Sequence, residues 1–195
     1  MKTSFVFASA ILLAVASANA QTTLAVGDIS LIGYRTDASD GYAWVTWVDL
    51  APNTEIRITD NQFNEASVFL ATENTAVWNN STGSTIPAGT VIVGIDNTGT
   101  AAVDRGSITT GNLSGISASG DNLFFYQGAT LDLASLKFGA ILNTGWLTTG
   151  AGSSNTSYLP STLNVANGNI VLSPIDNGQY TGSRTSNTIA AHRAN

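Results

Sequence analysis

The sequence predicts an all-β protein, a sandwich or barrel of about eight short strands. Three observations carry this. Short apolar or alternating segments recur at spacings near 8–20 residues, with Gly, Asn and Pro turns between them. No segment longer than about ten residues holds a 3.6-residue apolar period. The polar surface comes mainly from Thr, Ser, Asn and Gly, since only 10% of residues are charged. Those residues favour strands and turns over helices.

The chain opens with a targeting pattern. Lys2 supplies a positive start, Phe5 to Val15 is apolar except for Ser9, and Ala18-Asn19-Ala20 is a small-x-small cleavage site. Residues 1–20 are therefore expected to be a signal peptide and residues 21–195 a single domain, secreted to the extracellular space or the cell surface. The chain has no Cys, so no disulfide can form. Without Lys2 there are six basic and thirteen acidic residues, a net charge of −7. With so few basic residues and no basic cluster, a nucleic-acid partner or an anionic membrane surface is not expected. No apolar stretch is long enough for a membrane-spanning helix.

Leu24–Tyr34 reads as a first strand, and residues 35–41 as a turn. Tyr42–Asp49 is a strand apolar on both faces, with Trp44 and Val48 on one and Val45 and Trp47 on the other. Thr54–Asp60 alternates, so Ile56 and Ile58 point inward and Glu55, Arg57 and Thr59 outward. A polar loop is expected over 61–74. Further strands are read at Thr75–Trp78, Thr90–Asp96, Asn122–Gln127, Leu136–Leu142 and Asn169–Leu172, with a weak one near Ser107–Thr109 inside the low-complexity stretch Ala101–Ser119. Thr148–Tyr158 is a long polar loop. Arg184–Arg193 can form a short C-terminal helix capped by Ser183 or Ser186.

Several segments, in order along the chain, carry a resemblance. They are Leu24–Ile29 with Gly33-Tyr34, Ile58-Thr59-Asp60-Asn61 with Glu73 and Trp78, Ser119–Leu123 through Tyr126-Gln127-Gly128, Leu142–Trp146, and Asp176–Tyr180. Together they resemble a family of exported bacterial all-β proteins similar in layout to lamin-tail-type domains, a similarity supported by Ile86-Pro87-Ala88-Gly89-Thr90-Val91. The resemblance implies an immunoglobulin-like antiparallel β-sandwich and an exported location, and it implies no activity. The chain departs from the family's usual Gly-Trp after the Asp-Asn pair, having Gln62-Phe63 there.

The residues that carry chemistry are few. A serine-hydrolase triad would need His192, the only histidine, and there is no G-x-S-x-G elbow. Only Glu55, Glu65 and Glu73 could pair with an Asp as glycosidase carboxylates. No catalytic residues are assigned, and no organic cofactor is implied. With no Cys and one His, a transition-metal site is disfavoured. Calcium takes carboxylate, amide and main-chain oxygens. The candidate ligands are Asp60, Asn61, Glu65 and Glu73, with Asn64 beside them, and a lesser pair is Asp37 and Asp40. Each of these also suits strand ends and Asx-turns. Trp146 and Tyr158, at the long polar loop, are candidates for stacking on a sugar ring.

The expected function is a non-catalytic structural or adhesive module whose partners are further copies of itself or a matrix polysaccharide or protein. The alternative is a polysaccharide-binding or enzyme-accessory module that uses calcium.

Overall fold

In the computed structural model, residues 20–37, 39–97, 100–163, 168–173 and 176–181 are described. They form eleven strands and no helix. The expected helix over 184–193 and the expected signal peptide lie outside the described residues, apart from Ala20.

The strands are β1 (Ile29–Arg35), β2 (Asp40–Thr46), β3 (Glu55–Thr59), β4 (Thr75–Asn79), β5 (Val91–Asn97), β6 (Thr100–Val103), β7 (Ser107–Thr110), β8 (Asn122–Tyr126), β9 (Leu136–Leu142), β10 (Asn169–Leu172) and β11 (Asn177–Gln179). They make two sheets. One runs β11-β1-β2-β5-β6 and the other β10-β9-β8-β3-β4-β7. All pairs are antiparallel except β9 with β10, which is parallel. The β-sandwich read from the sequence is therefore present, with one parallel pair and with two strands, β6 and β11, that the sequence pattern did not reveal.

Alternation decides which side chains meet between the sheets. Ile29 and Leu31 of β1, Tyr42 and Trp44 of β2, and Ile92 of β5 face Ile56, Ile58, Ala76, Trp78, Leu123 and Phe125 of the other sheet in one buried cluster. At its centre Trp44 meets Trp78 edge to face, with ring centroids 5.1 Å apart, and Phe125 at 6.2 Å. Edge-to-face contact sets the positive ring edge against the negative face, which adds to the burial of both rings. The Tyr42 ring lies flat on the strand beside it, where a Cβ at Gly94 would fall 2.3 Å from it. Only a residue without a side chain fits there.

The two faces of the Tyr42–Asp49 segment behave as expected. Trp44 is fully buried and Val48 packs against the same core. Trp47 is half-buried on the outer side, its Nε1 donating to Ser30 Oγ at 2.9 Å. One expectation is corrected. Thr59 does not face solvent but is fully buried. Its Oγ1 donates to Asn74 O at 2.6 Å and accepts from Asn61 Nδ2 at 2.7 Å and Thr75 Oγ1 at 2.9 Å, so polar neighbours fold over it.

The outer faces of the two sheets differ. The six-stranded sheet carries a second cluster built from Phe63, Phe124, Tyr126, Leu136 and Leu163, against which Phe69, Leu131, Leu133, Trp146, Tyr158 and Leu159 pack from the loops. Among the described residues, the five-stranded sheet shows no such cover over β5, where Val91, Val93 and Ile95 are 39%, 39% and 43% exposed.

The assignment of the two tryptophans to opposite faces has a measurable consequence. Trp44→Ala should cost about 3–5 kcal/mol through the cavity left in the shared core. Trp47→Ala should cost distinctly less, and denaturant unfolding of the two variants reads the difference.

Candidate functional site

The acidic side chains gather at one end of the sandwich because of strand direction. β3 ends and β8 begins at that end, β2 begins and β5 ends there, and β4 begins there. Asp60 follows β3, Glu73 precedes β4, Asp121 precedes β8, Asp40 opens β2, and Asp96 lies near the end of β5. The pairing of Asp40 with Asp96 across β2 and β5 is direct.

The 61–74 segment is a small hairpin and not an open polar loop. Phe63 bridges to Phe69, Leu70 N–H donates to Gln62 O at 3.0 Å, and Val68 N–H donates to Asn64 Oδ1 at 3.0 Å. Asp60, Asn61, Gln62 and Phe63 are all buried. Asn61 closes the base of this hairpin. Its Oδ1 accepts Thr72 N–H at 2.9 Å and Glu73 N–H at 2.8 Å. This clamp carries Glu73 back to Asp60. Glu65 sits exposed at the tip.

The loop from β7 to β8, residues 111–121, closes the end of the sandwich. Leu113 and Ile116 enter the core. Its main-chain N–H groups are received by carboxylates. Leu113 donates to Asp96 Oδ2 at 2.6 Å, Gly115 and Ile116 to Asp40 Oδ2, and Ser117 to Asp121 Oδ2 at 2.9 Å. Asp121 Oδ1 also accepts Asn122 N–H at 2.7 Å. Asn122, fully buried, reaches across to β3, its Nδ2 donating to Asp60 O at 2.8 Å and Asn61 O at 3.2 Å.

Three of the acids are held well above the ordinary carboxylate range. Burial pushes Asp121 up to about 8, against the hydrogen bonds from Ser117 and Asn122 and with help from the Asp60 and Glu73 charges. Burial, then the Asp60 charge, pushes Glu73 up to about 7. Burial pushes Asp60 up to about 6, opposed by main-chain hydrogen bonds at Asp60 and Asn74 and assisted by Asp40. Desolvation disfavours the charged form and a like charge nearby does the same. Among the described residues the one ion pair is Arg57 with Glu55, at 2.8 Å on the strand surface. It does not reach these acids.

Four oxygens on or beside this hairpin are buried and accept no hydrogen bond: Asp60 Oδ1, Gln62 Oε1, Glu73 Oε2 and Asn122 Oδ1. Among the described residues, no three acidic or histidine side chains converge closely enough to hold a metal by themselves.

Of the candidate calcium ligands, then, Asp60, Asn61 and Glu73 come together, while Glu65 points away and Asn64 spends its side-chain oxygen on the hairpin. The Asn61 oxygen is likewise spent, on the main chain. The second pair separates. Asp40 faces into the sandwich end, and exposed Asp37 accepts from Asn177 Nδ2 at 3.0 Å. Asp121 and Asn122 belong beside Asp60 and were not among the candidates. A signal for them exists, since Asp-Asn occurs at both 60–61 and 121–122.

Trp146 and Tyr158 lie in the outer aromatic cluster. Trp146 packs on Phe124 at 5.7 Å and its Nε1 donates to Asn169 Oδ1 at 3.3 Å. Tyr158 donates its hydroxyl to Gly150 O at 2.6 Å. Both rings support the loops that cover the six-stranded sheet. His192 lies outside the described residues.

Comparison of the chain with family models, with curated proteins and with solved structures finds no match. Among the described residues no helix is long and apolar enough to cross a membrane.

The raised acids fix the sign of the pH dependence. Each binds its proton more tightly folded than unfolded, so stability is fully present below the unfolded value near 4 and is lost as pH rises towards about 8. Thermal unfolding in buffer free of divalent cations should show a melting temperature that falls from pH 5 to pH 8. Asp121→Asn, which carries no charge to bury, should flatten the upper part of that fall.

Proposed function

We propose that the protein is a non-catalytic structural or adhesive module, working outside the cell, that associates with further copies of itself through the outer face of its five-stranded sheet. The single observation that carries this reading is the aliphatic stripe on β5. Val91, Val93 and Ile95 stand side by side on one face, each more than a third exposed. Their cross-strand neighbours on β2 are Val45, Ala43 and Gly41, and Ala102 of β6 lies opposite Ile95. These small side chains leave the stripe standing above a low surface, with Arg35 over Gly41 and Asp104 beside Val93 at its border.

The contrast between the two sheets supports the reading. The six-stranded sheet buries its outer face under its own aromatic cluster. The five-stranded sheet leaves β5 open, although burying these three side chains would be favourable. Its edges are short, with four residues in β6 and three in β11. Short edges discourage sheet extension by strand pairing, so contact through the face is the favoured route. The stripe is narrow, and the contact it makes is a weak one that gains strength when many copies are arrayed. The resemblance to exported bacterial modules and the targeting pattern of residues 1–20 support the extracellular setting.

Light scattering over a range of concentrations tests the reading. The average mass should rise with concentration, and Val93→Lys or Ile95→Lys should return it to that of one chain while the melting temperature stays within a few degrees. A strictly monomeric protein at every concentration would remove it.

A further inference from the structure

We propose that Asp60, Glu73 and Asn122 form a binding site for one divalent cation of the calcium class at the end of the sandwich. The inference starts from a mismatch between acceptors and donors. Asp60 Oδ1, Glu73 Oε2 and Asn122 Oδ1 are buried and none receives a hydrogen bond. A buried acceptor left without a partner costs about 1–3 kcal/mol. Asn122 is hydrogen-bonded to the Asp60 main chain and Glu73 feels the Asp60 charge, so three oxygens without donors belong to neighbouring residues, and they call for something positive.

Asn122 is the observation that separates this from a mere gathering of acids. It is uncharged and wholly buried. Its orientation is fixed by its own nitrogen, because Nδ2 must donate to the Asp60 and Asn61 carbonyl oxygens. That leaves Oδ1 of the same head group beside the Asp60 main chain with no donor. Asn61, by contrast, spends both of its head-group atoms. Asn122 spends one.

The donor set fits calcium and not a transition metal. Calcium takes six to eight oxygens from carboxylates, amides, main-chain carbonyls and water, in a flexible geometry. Two carboxylates and one amide supply three, and water completes the shell. No three carboxylates meet here, so a site with many waters and modest affinity is expected, of the kind found in extracellular modules that work at millimolar calcium. Glu73 is the half-exposed member, placed by the Asn61 clamp where an ion can enter from solvent.

The experiment is thermal unfolding of the full protein, stripped with chelator, in millimolar calcium chloride, in magnesium chloride and in sodium chloride at matched ionic strength. Calcium is expected to raise the melting temperature by about 2–4 °C. Sodium should have no such effect and magnesium a smaller one. Glu73→Gln, at the half-exposed position, should fold and lose the response, and Asp60→Asn should lose it as well. Isothermal titration should show one saturable calcium site in the wild type and none in Glu73→Gln. No shift with calcium, an equal shift with magnesium, or a full shift retained in Glu73→Gln would each overturn the proposal.

Discussion

The meeting of Trp44 and Trp78 between the two sheets is the contact on which the rest of the structure depends. One ring comes from β2 and the other from β4, and they touch edge to face. With no disulfide available, side-chain packing must hold the layers together. The pair sets which face of each strand is inner. Once that is set, period-two alternation sends Asp40 and Asp96 inward along with Tyr42 and Ile92, and Asp60 inward along with Ile58. The acids are buried because they sit at the ends of strands whose inner faces are decided further along.

That arrangement explains why the molecule keeps so many carboxylates at one end. Asp40, Asp96 and Asp121 each accept main-chain N–H groups from residues 113–117, a loop that would otherwise bury several donors without partners. The loop in turn places Leu113 and Ile116 over the open end of the core. Asp60 and Glu73 have no such task. Burial raises both, and one carboxylate oxygen of each is left without a donor.

Much of the fold was legible, and the reasons are local. Ile56 and Ile58 alternate with Glu55 and Arg57, and the strand follows. Trp44 and Trp47 are three apart, so they face opposite sides. What was not legible depends on other strands. Residues 100–103 and 177–179 are strands by virtue of hydrogen bonds to β5 and β1, and neither segment carries an apolar alternation of its own. Thr59 is buried by Asn61, Asn74 and Thr75, not by its own pattern. At the candidate site, Asp60, Asn61 and Glu73 could be grouped from one loop. Asp121 and Asn122 join them only through the pairing of β3 with β8, about sixty residues apart in sequence. Glu65 illustrates the converse, close in sequence yet carried outward by a hairpin no residue pattern announced.

The order in which strands enter the sheets bears on when each layer can close. β10 completes one sheet by lying parallel to β9, and β11 completes the other by pairing with β1, so the last strands described close both layers. β1 pairs with β2 close by in sequence, but its second neighbour comes from some 145 residues downstream, Gln179 opposite Gly33. Until then neither layer is whole. A chain wired in this way finishes both layers in one late step, when residues 169–179 add the outermost strand to each sheet.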